Sequence, residues 1–295
     1  FQAEDGIRDR SPSRGLGDVY KRQPYMNQKL DLGTIIGLVS GATIIAISIW
    51  WLEGRFLWFF QWSSVFIVIG GVICATLVNY PLKAVFNLRF VLKNVIRAEV
   101  YDFTGTIQKI IDLAEKSRKN GLLSLEADLS SIESAFLRDG VELAINEREA
   151  SRLRTFLSLD LSNISTRHVG AQEIILYMAA YSPAFGMLGT VIGLIVMMNR
   201  FQMGGEVSTV EFNVAEQFKD LLAGMGTALI TTFYGVLLAN LVFLPIAGKL
   251  KRQSENEIML KSIVLEGIIS IHAREHPVLI REKLMTFVAL SERDL

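Results

Sequence analysis

Two apolar stretches of the chain, 179–198 and 221–248, contain residues that a plain membrane anchor does not need. These residues are prolines and threonines, namely Pro183, Thr190, Thr231, Thr232 and Pro245. Proline cannot donate the helical hydrogen bond and can bend a helix. Threonine hydroxyls can bind a cation, although in membranes they often bond their own helix or a neighbour. The pattern indicates a polar seam between two spans, or simple helix packing.

No Asp, Glu, Lys, Arg or His lies within any of the long apolar runs. Ion pumps and proton relays depend on ionisable groups inside the membrane. If these spans line an ion path, the titrating group must therefore come from another chain. The sequence thus predicts a partner with a carboxylate in the membrane, or no transport at all.

The composition favours a membrane protein with a sizeable aqueous part. Of 295 residues, 51% are hydrophobic, and the mean hydropathy is +0.35. The formal net charge is zero, so no overall field attracts nucleic acid. A single cysteine excludes a thiolate metal site. We interpret the i, i+4 pair His272 and His276 as a helix end rather than a metal site, and expect neither a cofactor nor an enzyme.

Four stretches are long and apolar enough to cross a bilayer as helices. They are Leu32–Leu52, Leu57–Tyr80, Ile174–Met198 and Leu221–Gly248. Lys and Arg follow the second and fourth stretches, whereas the other connections are poor in them or rich in Glu. The positive-inside rule therefore predicts that both termini and the long insert are cytosolic. The four tryptophans flank the first outer loop and fit an interfacial belt, with an aromatic ligand cage as the alternative.

The predicted class is an all-α, polytopic membrane protein with a helical cytoplasmic insert. Its predicted divisions are an N-terminal extension (1–25), spans one and two (26–80), the insert (81–173), spans three and four (174–248) and a helical tail (249–295). The extension is charged and without periodicity, so we expect it to be non-native or a disordered tail. In the insert, Asn120-Gly121 predicts a helix stop, and Asp139-Gly140 predicts a second break.

Three segments together resemble the MotA/PomA subunit of the bacterial flagellar stator, within the MotA/TolQ/ExbB superfamily. They are YSPAFGMLGTVIGL, GTALITTFYGVLLANLVFLPIAGKL and SRKNGLLSLE. The similarity extends over nearly all of 26–295, including the arrangement of spans. It implies an inner-membrane homopentamer around a MotB/PomB-type partner, which has one span with an ion-binding aspartate. Ion flux then turns the ring, and cytosolic charges contact the rotor protein FliG.

The resemblance also implies roles for residues that match the family's motifs. These roles are conformational prolines, hydroxyls of the ion path, and charges that contact the rotor. The matching positions are, in that order, Pro183 and Pro245; Thr190, Thr232 and the adjacent Thr231; and Arg118, Lys119 and Glu126. The charges also suit helix ends electrostatically, so a solvated face is the alternative for them.

The coupling ion stays open between sodium and the proton. Hydroxyls at Thr190 and Thr232 are typical of sodium-type relatives, which favours sodium. Gln61 stands where such relatives commonly have an acid, which argues against it.

Two other functions compete with the flagellar stator. One is an ExbB/TolQ-like or gliding-type energiser of envelope processes. The apolar pair of spans at 32–80 argues against the ExbB/TolQ type, which usually has three spans. The other is a membrane scaffold that conducts no ion.

Overall fold

The computed structural model describes residues 29–95, 97–98, 101–203 and 214–288. The predicted N-terminal extension and residues 204–213, between spans three and four, lie outside these residues. The helices are α1 (Leu32–Trp51), α2 (Trp62–Asn79), α3 (Leu82–Val95), α4 (Phe103–Asn120), α5 (Ala135–Asn146), α6 (Ala150–Met203), α7 (Val214–Leu237), α8 (Leu244–His272) and α9 (Pro277–Met285).

Four helical segments of the described chain are long and apolar enough to span a membrane. This confirms the predicted all-α class with four spans. One two-residue antiparallel pair, Lys29–Leu30 with Arg97–Ala98, adds the strand structure β1 and β2. The second spanning helix begins at Trp62, later than predicted, because Phe56–Phe59 forms a 3₁₀ turn.

The long helix α6 contains 54 residues and runs through Pro183 without interruption. It begins far before the predicted span, because its first half is amphiphilic enough to continue into the cytosolic part. The fourth span is also extended: a π-helical stretch, Leu238–Phe243, joins α7 directly to α8. A second π-helical stretch, Phe66–Gly70, lies inside α2.

The part of the protein that is predicted to be cytosolic, called the cytosolic part below, has a core that joins α4, α5, the first turns of α6, the last turns of α8, and α9. Its innermost side chains are Ile107, Ile110, Leu125, Leu153 and Ile268. The first turns of α6 and the last turns of α8 thus share one apolar cluster. This cluster positions the cytosolic helices relative to the third and fourth spans.

The predicted stop after Asn120 is confirmed, since α4 ends there and Gly121 has φ of +84°. The predicted break at Asp139-Gly140 is wrong. Gly140 lies inside α5, where a Cβ would come 2.3 Å from Cδ1 of Ile268. The glycine therefore permits close packing on α8 rather than ending a helix.

The stretch after Gly121 is helical, as the predicted helical insert implies, but it is not an α-helix. Leu122–Ser131 is a 3₁₀ helix. Its apolar residues Leu122 and Leu125 are three apart, which matches the three residues per turn of this helix type. Leu125 is completely buried in the cytosolic core.

Candidate ion-path seam and cytosolic tip

The third and fourth spans pack closely because glycines remove side chains from their contact. A Cβ on Gly193 would lie 3.2 Å from Cα of Ala228, and one on Gly186 would lie 3.1 Å from the carbonyl oxygen of Thr231. A Cβ on Gly235 would lie 2.5 Å from the carbonyl oxygen of Ser182. Residue numbers rise along α6 as they fall along α7, so the two helices are antiparallel. We call this glycine-lined contact between α6 and α7 the seam.

Pro183 lies at the end of the seam that is predicted to face the cytosol. Its Cα would be 3.2 Å from a Cβ on Gly235, so the proline backbone contacts α7 directly. The neighbouring Ser182 is completely buried and donates a hydrogen bond to the carbonyl of Met178 at 2.8 Å. Because proline has no N–H, it donates nothing to the carbonyl of Ala179 one turn earlier.

Pro245 lies away from the seam, in the first turn of α8. It is ten residues beyond Gly235, or about 15 Å along a helix. The π-helical stretch Leu238–Phe243 precedes it directly. Prolines and π-helical stretches are both places where helices kink, and π-helical stretches often occur at functional sites.

The three predicted ion-path hydroxyls lie along the seam but differ in exposure. Thr231 is completely buried against Gly189, and its hydroxyl donates to the carbonyl of Ala228 at 2.7 Å. Thr190 is half-buried and donates to the carbonyl of Met187 at 2.6 Å. Thr232 is also half-buried, and its hydroxyl is 3.4 Å from the carbonyl of Gly186, one turn before Thr190.

The second span joins the fourth near its own N-terminal end through polar contacts that the sequence did not predict. Gln61 Nε2 donates to the hydroxyl of Thr227 at 2.7 Å, and the buried Ser64 donates to Gln61 Oε1 at 3.3 Å. The hydroxyl of Tyr234 donates to the carbonyl of Phe59. Residues so far apart in the chain leave no local sequence signal of this pairing.

At the cytosolic border, α1 is tied to α8 by one charged contact. Asp31 caps α1 and accepts from Lys249, which also donates to Thr34 Oγ1 at 2.7 Å. The hydrogen bond from Lys249 lowers the pKa of Asp31 to about 2. The carboxylate therefore stays charged at any cytosolic pH. An acid before an apolar helix is a capping signal that could have predicted half of this contact.

The predicted rotor-contact charges lie together at the tip of the cytosolic domain. Arg118 and Lys119 are exposed in the last turn of α4, and Glu126 is exposed on the following 3₁₀ helix. A 2.6 Å ion pair between Lys116 and Asp128 holds these two segments together. The tip thus presents both signs of charge on a fixed scaffold.

Beyond the membrane, α6 and α8 are joined by polar groups. Nδ1 of the buried His168 is 3.1 Å from Ser254 Oγ, and its Nε2 is 3.8 Å from Glu257, which pairs with Lys261 at 2.6 Å. Burial lowers the pKa of His168; Glu257 raises it, whereas Lys261 and Arg167 lower it further.

A second polar junction lies deeper in the cytosolic part. Arg154 binds both carboxylate oxygens of Glu266, at 2.8 and 3.1 Å, and Lys283 of α9 pairs with the same carboxylate at 3.1 Å. Burial raises the pKa of Glu266, but hydrogen bonds from Arg154 and Lys283 outweigh this and leave it below its ordinary value.

Within the described residues, no group of three or more His, Cys, Asp or Glu side chains could hold a metal ion. The two histidines at i, i+4 spacing have separate partners. His272 Nε2 is 2.9 Å from the carbonyl of Glu147, and His276 accepts from the N–H of Val278 as the cap of α9.

The similarity to known proteins covers both the seam and the cytosolic part. A model of the MotA/TolQ/ExbB proton channel family matches residues 128–262. Motility protein A of Borreliella burgdorferi is 32% identical over 264 residues, which are 90% of this chain and 96% of that protein. The chain belongs to this family. Chemotaxis protein PomA of Vibrio alginolyticus is 27% identical, over 90% of this chain and 98% of its own.

Two solved structures show the family's fold in this chain. The C. jejuni MotAB structure superposes with a TM-score of 0.79 at 22% identity, over 90% of this chain and 99% of its own. The flagellar MotAB stator complex of Bacillus subtilis superposes with a TM-score of 0.75 at 25% identity, over 88% and 96%. Family membership and the four apolar helices make the chain a membrane protein of the stator type.

Proposed function

We propose that the chain is the ring-forming membrane subunit of an ion-driven flagellar motor stator. With a MotB/PomB-type single-span partner it conducts Na⁺ or H⁺, and the flux turns the ring and exerts torque on the rotor protein FliG. The names of the relatives and the likeness to MotAB structures support this function. It is a transport and motor function, not an enzymatic one.

The observation that carries the proposal is the composition of the seam. Its backbones are in close contact, it has threonine hydroxyls, and no Asp, Glu, Lys, Arg or His lies in spans three and four. Such a path can conduct only if a partner supplies the titrating carboxylate. Thr190 and Thr232, which are half-buried, are the hydroxyls that face this path. Thr231 is enclosed between the helices and holds the seam in register.

Pro183 is the conformational element of this mechanism. It leaves a carbonyl of α6 without one hydrogen bond beside the seam and contacts Gly235 across it. One charge crossing the membrane releases about 2.3 kcal/mol per 100 mV. A proline perturbs a helix by about 3 kcal/mol. The two energies are comparable, so ion binding on the partner can shift α6 between two shapes. Pro245 provides the corresponding point where the fourth span leaves the membrane.

The function is tested by rotation in a flagellated host that lacks its own stator genes. Co-expression of the chain with its single-span partner is expected to restore rotation of tethered cells. The matched control carries asparagine in place of the partner's membrane aspartate and should assemble without rotating. Assembly of the intact pair without rotation would contradict the proposal and leave the envelope energiser or the scaffold.

The coupling ion is tested in the same cells. We expect sodium, because two hydroxyls face the path and sodium prefers oxygen ligands. Replacing sodium by potassium at constant potential and pH should then stop rotation. Unchanged speed without sodium, together with arrest by a protonophore, would identify a proton motor and leave Thr190 with a packing role.

The rotor contact is tested by reversing charges at the cytosolic tip. Arg118→Glu or Glu126→Lys should impair rotation while the protein still inserts and assembles. Both side chains are exposed, so each reversal costs well under about 1 kcal/mol of folding stability. Arg148→Glu, an exposed charge in the loop before α6, is the matched control. Normal rotation of both tip variants, alone and combined, would exclude these charges from the contact.

We further propose that the subunit forms a homopentamer in the inner membrane with both termini in the cytosol. The excess of Lys and Arg after spans two and four supports this orientation. Cysteines introduced at Gly205 and Ser130, in a Cys74→Ser background, should be labelled from outside and inside respectively. Labelling of position 130 from outside intact cells would contradict this orientation.

A further inference from the structure

Helix α3 has an outer face that nothing in the described protein covers. Two residues, Tyr80 and Pro81, separate it from the end of α2. Leu82 and Phe86, one turn apart, are 61% and 65% exposed. The opposite face, with Leu88 and Val91, is buried. One face of the helix is therefore buried against the protein. The opposite face is exposed, yet it also has large apolar side chains.

The position of α3 places this face at the membrane border rather than deep in the cytosol. Leu88 and Val91 pack in one cluster with Ala171, Ile174, Ile175 and Ala247. These are the levels at which the third predicted span begins and the fourth ends. A helix packed at that depth lies beside the inner ends of the spans, where lipid headgroups are.

The charge of α3 has a single sign. Its 14 residues include Lys83, Arg89 and Lys93, and they include no Asp or Glu. Lys83 and Arg89 are exposed, and the guanidinium of Arg89 lies 4.7 Å from the ring centre of Phe90. At helical spacing, Leu82, Phe86 and Arg89 fall on one stripe. Cations beside exposed apolar side chains match a surface that is anionic outside and apolar beneath.

We propose that the outer face of α3 binds anionic phospholipid headgroups of the inner leaflet. Phe86 and Leu82 enter the acyl boundary, and Lys83 and Arg89 contact the headgroup phosphates. A basic segment next to a spanning helix gains about 1 kcal/mol per Lys or Arg near an anionic surface. This contact fixes the connection between the second span and the cytosolic domain to the membrane. It rests on the proposed orientation in the membrane and not on the motor function.

The test uses the full chain, co-purified with its partner and reconstituted in vesicles. An environment-sensitive NBD label is attached to Phe86→Cys in a Cys74→Ser background. The vesicles contain phosphatidylcholine with phosphatidylglycerol titrated from about 1 to 50 mol%. The emission should shift to the blue as phosphatidylglycerol is added. A label at Leu123→Cys, exposed at the cytosolic tip, should show no such shift.

Charge variants separate headgroup binding from apolar contact alone. Lys83→Gln with Arg89→Gln should raise the midpoint of the shift about tenfold or more in phosphatidylglycerol. Lys83→Arg with Arg89→Lys preserves charge and should keep the midpoint. Lys109→Gln with Arg148→Gln neutralises two exposed cations of the cytosolic domain and should also leave it unchanged.

Should the neutral variant fail to insert, salt provides the same test on the charged protein. Because Debye screening weakens headgroup attraction, 0.5 M KCl should raise the midpoint. Emission that is independent of phosphatidylglycerol would overturn the proposal. Emission already blue-shifted in pure phosphatidylcholine means cover by neutral lipid or by a neighbouring copy. Either cover contradicts headgroup binding.

Discussion

The third and fourth spans, with their cytosolic extensions, are joined in two different ways. Inside the membrane, α6 meets α7 through glycines such as Gly186 and Gly235, and backbones touch. In the cytosolic part, α6 meets α8 through His168 with Ser254 and through Arg154 with Glu266. Both contacts join the same two helical segments, because α7 continues directly into α8.

The difference follows from the two solvents. Lipid tails are as apolar as leucine, so burial of apolar surface does not drive spans together, and close van der Waals contact must do so. In water, polar groups that bridge helices can be satisfied by solvent when they separate, so such contacts stabilise modestly and depend on salt and pH. The stability of the contact between α6 and α7 is therefore expected to be independent of salt and pH. The stability of the contact between α6 and α8 is expected to depend on both.

The largest effect is expected from filling the seam. In Gly235→Val, the new Cβ would lie 2.5 Å from the carbonyl of Ser182, which is backbone and cannot move aside. Overpacking costs about 1–3 kcal/mol in ordinary cores, and here the helices must separate. Thermal unfolding of the purified complex should show this loss. The loss should be the same in low and high salt.

The matched control is Gly226→Val on the same helix. Apart from the backbone of its own helix turn, no atom lies within 4 Å of a Cβ at Gly226. Stability equal to the parent is expected for this variant. If both valines destabilise equally, helix propensity rather than close packing explains the glycines, and the contrast with the cytosolic half disappears.

A smaller effect is expected from the deeper polar junction. Glu266→Gln removes the carboxylate that Arg154 and Lys283 share, and half-exposed ion pairs of this kind contribute about 1 kcal/mol. Because the pKa of Glu266 is lowered, its contribution is full above its ordinary value and is lost only as pH falls below it.

Salt distinguishes this junction from the seam. Thermal unfolding of the parent should be weakened by 0.5 M KCl, and Glu266→Gln should reduce that dependence. Glu115→Gln, an exposed residue 4.0 Å from Lys119, should behave like the parent. A parent protein that unfolds at the same temperature with and without 0.5 M KCl would show that the membrane and cytosolic contacts do not differ in this respect.

The smallest effect is expected from pH near neutrality. Because the pKa of His168 is lowered, the unfolded chain binds a proton more readily than the folded one. Stability is full above about pH 6.5, the ordinary histidine value, and declines as pH falls below it. In His168→Gln, the decrease in Tm between pH 7.5 and 5.5 should be smaller than in the parent. In His276→Asn, which changes an exposed cap, the decrease should be as large as in the parent.

The sequence predicts the class of fold well and the helix contacts poorly. Apolar length alone defines the span at Leu32, and Gly121 marks a helix end because its backbone conformation is local. Gly140 looks like Gly121 in the local sequence, but the residue against which it packs, Ile268, is 128 residues away. Which face of a helix meets a partner is decided by tertiary packing, so the seam could not be aligned from sequence.

The candidate site divides in the same manner. The prolines, threonines and tip charges were identified through likeness to a family, and their roles remain predictions. Their geometry was not accessible: nothing local distinguishes Thr231, fully enclosed, from its neighbour Thr232, half-exposed. The pairing of Gln61 with Thr227 likewise depends on two helices 166 residues apart.

The unbroken length of α6 makes it a lever arm. From Pro183 to Ala150 the helix extends about 50 Å, at 1.5 Å per residue. A tilt of about five degrees at the proline would displace the far end by about 4 Å, which is most of the ~5.4 Å pitch of a helix. A small change of angle at Pro183 is therefore enlarged to a displacement of several ångströms at Ala150.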